Sequence, residues 1–156
     1  MQSIRNVYIS TLGNIDIFAS FLCVLVPMAA GAYISSEGKE SIVIRITAVI
    51  AVLTGTGAVI ISNANLAYAG VGGAMIAAWI WASYRGKIKE FADVCLVMAC
   101  GVLAISIMLG QTDSGDSELD GLSCFVSDSR MVWIVFVVVL VVWAAIRLAS
   151  KWTVKL

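Results

Sequence analysis

Apolar runs without a charge alternate with short charged connectors along the whole chain. Ile17 to Ser36 carries no charge, and about 20 such residues are enough to cross a hydrocarbon core of roughly 30 Å. A mixed-charge connector, Glu37 to Arg45, follows. From Ile46 to Tyr84 no charge appears again, and this stretch would measure roughly 58 Å as one helix, too long for a single crossing. A turn must break it. Ser62-Asn63-Ala64-Asn65 is the preferred place, because small side chains that bond their own backbone favour tight turns. Thr54-Gly55-Thr56-Gly57 is the rival, and it would leave unequal pieces. The second run then starts near Ile42, with Arg45 snorkelling towards the head groups.

Two further runs, Val94 to Gly110 and Met131 to Ala149, complete the pattern. The last is dense in valine, a mediocre helix former in water. An isolated strand cannot satisfy its backbone in lipid, so helix is expected there too. The pattern predicts an all-α, polytopic membrane bundle in one domain over residues 1–156. Its hydrophobic segments are placed at 17–36, 42–61, 66–84, 94–110 and 131–149, with an acidic loop at 111–130. Four spans plus an interfacial first helix is the alternative. The base at Arg5, the apolar run and Ala30-Gly31-Ala32 also resemble a secretory signal with its cleavage site, but the segment is read as a span.

Composition sharpens this reading. Hydrophobic residues make up 61% of the chain and charged ones 13%, against about 25% charged in soluble domains. Ten bases balance ten acids, but the two signs occupy different loops. With the C-terminus inside, the inner side collects Lys39, Arg45, Arg85, Lys87, Lys89, Arg147, Lys151 and Lys155, and the outer side keeps Arg5 and Arg130. Basic residues in short loops fix the inner side. The acidic loop then faces out, and Arg85, Lys87 and Lys89 form a cytoplasmic basic turn.

Candidate chemistry is sparse. There is no histidine, which removes the commonest general base and metal ligand. No cofactor, metal or catalytic set is expected, no nucleic-acid signature is present, and the chain reads as non-enzymatic. Asp16, Glu90 and Asp93 read as boundary carboxylates at the membrane interface rather than proton carriers. Asp116-Ser117-Glu118-Leu119-Asp120-Gly121 echoes the start of a calcium-binding loop, but the twelfth position is Ser127 where a glutamate is needed. Cys23, Cys95 and Cys100 lie in apolar segments. Cys124 lies in the outer loop, where it is free, pairs across subunits, or reaches Cys23. Thr47, Thr54, Thr56 and Ser62 offer hydroxyls for a narrow polar path, although such groups usually bond a carbonyl one turn back.

The third segment is the most informative for function. Gly70, Ala74, Ala78 and Ala82 recur at every fourth position, with Ala69, Gly73 and Ala77 in a parallel row. Rows of this kind let another helix approach closely. They pack within the monomer or against a second subunit, so the expected partners are lipid and copies of the chain or other membrane subunits. Ala51, Gly55 and Thr56 add small residues to the second segment.

The hairpin from Leu66 to Gly110 resembles the membrane hairpins of type IV secretion and conjugation systems, their pilins and pilin-like inner-membrane subunits. The likeness rests on Ala67-Tyr68-Ala69-Gly70 and Gly72-Gly73, a basic turn, and a second apolar helix. It implies a bacterial inner-membrane setting, an inward-facing basic turn and a role in assembly. The extra segments and the acidic loop depart from a two-helix pilin. A small pore, holin-like protein or passive transporter is the alternative function.

Overall fold

The computed structural model describes residues 15–36, 41–62, 64–111 and 129–153. Five helices account for nearly all of them: α1 (Ile15–Ser35), α2 (Ser41–Ser62), α3 (Asn65–Tyr84), α4 (Ile88–Gln111) and α5 (Ser129–Thr153). At 1.5 Å per residue they are about 30 to 37 Å long. Each contains a stretch long and apolar enough to cross a membrane. Among the described residues thirty large hydrophobic side chains are exposed, including Val43, Leu66, Ile80 and Val141. A molecule in water would bury that surface. The fold is an all-α bundle whose solvent is lipid, and the chain is an integral membrane protein.

Helices α1, α2 and α4 pack against one another at the centre, α3 lies chiefly on α1, and α5 lies chiefly on α4. Helix α1 belongs to this centre: Ala19, Leu22, Val26, Ala30 and Ile34 are buried along its whole length. Ala30, read above as part of a resemblance to a cleavage site, is fully buried. Two apolar clusters make up the core. One joins Ala19, Leu22 and Val26 to Val59 of α2 and to Ala67 and Val71 of α3. The other joins Ala30 and Ile34 to Val52, Ala82 and Val94. Each cluster takes the late part of one helix with the early part of the next, the mark of antiparallel neighbours.

Glycines at the helix crossings let the backbones approach closely. A Cβ added to Gly55 would stand 2.6 Å from Val26 Cγ2, and one on Gly101 would stand 3.1 Å from the carbonyl oxygen of Leu53. In lipid there is little hydrophobic drive between helices, so contact of this closeness supplies dispersion energy in its place. Pro27 sits inside α1. It removes one backbone bond, a loss that a surrounded membrane helix tolerates.

The break in the long uncharged stretch falls between Ser62 and Asn65. Ser62 there donates to the carbonyl of Val59 at 2.8 Å. The start of α4 differs from the expectation at Val94: the helix begins at Ile88. Hydropathy marks where charge ends, but backbone geometry marks where the helix begins. Gly86 has φ +69°, a left-handed conformation that costs glycine nothing. It closes α3, with Lys87 N–H donating to the carbonyl of Ala82 at 2.8 Å. Lys89, Glu90 and Asp93 therefore lie inside α4.

Candidate functional site

That early start carries Asp93 about one and a half turns into α4, where it meets side chains of α1 and α5 at one end of the bundle. Oδ1 accepts from Trp143 Nε1 at 2.7 Å and from Arg147 Nη2 at 2.6 Å. Oδ2 accepts from Tyr33 Oη at 3.1 Å and from the same guanidinium nitrogen of Arg147. Helical periodicity explains the α5 contribution, since Trp143 and Arg147 are four residues apart and share a face. Arg147 also lies over the Trp143 ring, 5.8 Å from its centroid. Tyr33 extends the network to α2, because Arg45 stands 5.7 Å above its ring. Arg45 is held in turn by Ser36, donating to its Oγ at 2.9 Å and to its carbonyl at 2.8 Å. One carboxylate thus ties α1, α4 and α5 directly, and α2 through an aromatic ring.

The electrostatics suit a structural charge. The Asp93 side chain is 15% exposed and that of Arg147 is 44% exposed. An ionised carboxylate so far out of water is costly unless it is paired and hydrogen-bonded. Here it has four hydrogen bonds and a cation. Sequence reasoning read Asp93 as a plain interface carboxylate and missed its role. The available signal was an acid one turn deeper than Glu90, with an arginine of opposite sign at the matching depth of α5 and a tryptophan four residues before it.

The residues of the third segment fall on two faces. Gly70 faces α1, where an added Cβ would stand 2.5 Å from the Sγ of Cys23. Ala82 is fully buried, and Ala74 and Ala78 are half-buried. Ala69, Gly73 and Ala77 are exposed together with Gly72. A Cβ added at Gly72 or Gly73 would meet nothing within 4 Å. The basic turn lies at the same end as Asp93: Arg85 is exposed, while Lys87 and Lys89 are half-buried.

The hydroxyls of α2 bond inward to their own helix. Thr54 donates to Ile50 O at 2.8 Å and Thr56 to Val52 O at 2.7 Å. The groove lined by Tyr33, Ala48, Val49, Val52, Val94 and Val97 is apolar and has no room for a water molecule. Ser106 is buried with no hydrogen-bond partner. Among the described residues no three His, Cys, Asp or Glu side chains stand close enough to hold a metal ion. The Cys23 thiol lies near the carbonyl of Ala67 at 3.7 Å. Cys124, the calcium-like fragment at Asp116 to Gly121, Arg5, Lys39 and Lys155 lie outside the described residues, as do the side chains of Asp16 and Lys151. No protein family, curated protein or solved structure matches the chain.

Proposed function

We propose that this chain is a non-enzymatic subunit of a larger membrane assembly and that it docks through the outer face of α3. One observation carries the reading: Ala69, Gly72, Gly73 and Ala77 form a shallow notch that the monomer leaves uncovered. Glycine in a helix interior costs up to about 1 kcal/mol relative to alanine. Gly70 has an internal reason to be glycine, since Cys23 occupies the space a Cβ would need. Gly72 and Gly73 have none, and a helix from a neighbouring subunit supplies one.

The setting we propose is a bacterial inner-membrane secretion, conjugation or envelope complex, in keeping with the likeness of Leu66 to Gly110 to pilin-like hairpins. The basic turn at Arg85, Lys87 and Lys89 is placed on the cytoplasmic side by its charge. The pore reading is less favoured because Thr54, Thr56 and Ser62 spend their hydroxyls on their own helix. Mass measurement in mild detergent tests the proposal. The unaltered chain is expected to run as an oligomer and Gly73→Leu as a folded monomer. A strictly monomeric unaltered chain would count against the assembly role.

A further inference from the structure

The five helices are not held by the same means. Where α1 meets α2 and α3, and where α2 meets α4, a glycine lets the backbones approach: Gly55 at Val26, Gly70 at Cys23, Gly57 at Ile105 and Gly101 at Leu53. Helix α5 has no glycine anywhere along its 25 residues. Its seam on α4 is the regular row Val132, Phe136, Val139, Trp143 and Ile146, buried or half-buried. Its remaining faces, with Ile134, Val135, Val138, Val141 and Val142, are exposed. Of the five helices it is the least buried, and α2 is the most. An apolar seam gains little over lipid tails, which are as apolar as valine. A strong polar tie of α5 sits at one end, where Trp143 and Arg147 grip Asp93.

We propose that α5 is a releasable helix and that Asp93 is the catch that seats it. With the catch closed, Arg147 and Trp143 share the carboxylate with Tyr33 and α5 lies along α4. With the charge of Asp93 removed, the half-exposed Arg147 side chain turns outward and snorkels towards the head groups. The inner end of α5 then swings away, and the four remaining helices keep their glycine-mediated contacts. The chain therefore has two membrane-embedded states, and the opened one bares the face of α4 that α5 covers. This inference does not depend on the assembly role of α3.

Distances between spin labels in lipid nanodiscs test it, in a chain whose native cysteines are replaced by alanine. One label pair, at Ser83→Cys and Leu148→Cys, reports α5 against α3. A second, at Ser35→Cys and Ser83→Cys, reports the core. The unaltered Asp93 background is expected to give one narrow distance for each pair. Asp93→Asn and Arg147→Gln are expected to move at least half of the molecules to a longer α3–α5 distance while the core pair stays fixed. Tyr33→Phe keeps the ion pair and should keep α5 seated. A single unchanged α3–α5 distance in Asp93→Asn would overturn the proposal. So would a core pair that moves together with α5, because Asp93 would then support the whole bundle rather than act as a catch for one helix.

Discussion

Replacing Asp93 by alanine is expected to lower the stability of the bundle in detergent by about 2–3 kcal/mol, one of the two largest effects of any single side chain. The change leaves Tyr33, Trp143 and Arg147 without their shared acceptor. Breaking a buried ion pair by removing one partner costs about 3–5 kcal/mol. The lower figure applies here because Arg147 is half-exposed and can reach solvent or head groups. Arg147→Ala should cost a comparable amount, since it leaves the Asp93 carboxylate, only 15% exposed, without its cation. The double variant should cost less than the two single changes added together, by about 1–2 kcal/mol, as expected for groups in one network. Titration with a denaturing detergent, followed by tryptophan emission to which Trp143 contributes, measures all three. Strict additivity would mean that the pair is not coupled.

The second large effect belongs to the glycines at helix crossings. Gly55→Leu and Gly101→Leu are each expected to cost about 2–3 kcal/mol under conditions that keep the chain monomeric. At Gly55 the first added carbon already meets Val26 at 2.6 Å, and at Gly101 it meets a backbone oxygen at 3.1 Å that cannot rotate aside. Overpacking a filled core costs typically 1–3 kcal/mol. Gly72→Leu, where nothing lies within 4 Å, should leave the monomer within about 0.5 kcal/mol of the unaltered chain. The same denaturing titration separates the two classes. Equal losses at Gly55 and Gly72 would contradict the packing described.

Much of this architecture could be read from the residues alone, because lipid thickness sets helix length and leaves few ways to divide the apolar runs. The turn at Ser62 to Asn65 follows from that constraint: no single helix could carry 39 uncharged residues from Ile46 to Tyr84 across one bilayer. The start of α4 was less legible. Charge pattern places it after Asp93, whereas the left-handed Gly86 frees the chain to begin a new helix at Ile88. The network around Asp93 was legible only as an acid and an arginine at matching depths of two segments, not as a set of joined helices. Its partners lie 60, 50 and 54 residues away along the chain, and helical periodicity says nothing about which helices become neighbours. The small-residue rows of α3 sit between these cases. Their spacing announces close packing, but only the seat of Gly70 against Cys23 decides which row faces inward.

Five helices that each traverse the bilayer are an odd number, which puts the segment before α1 and the segment after α5 on opposite sides. Protease protection of tags at the two ends of the chain, in sealed vesicles of known orientation, tests this most directly. One tag should be cleaved only from outside and the other, beside Lys151 and Lys155, only from inside. Cleavage of both tags from the same side would contradict it.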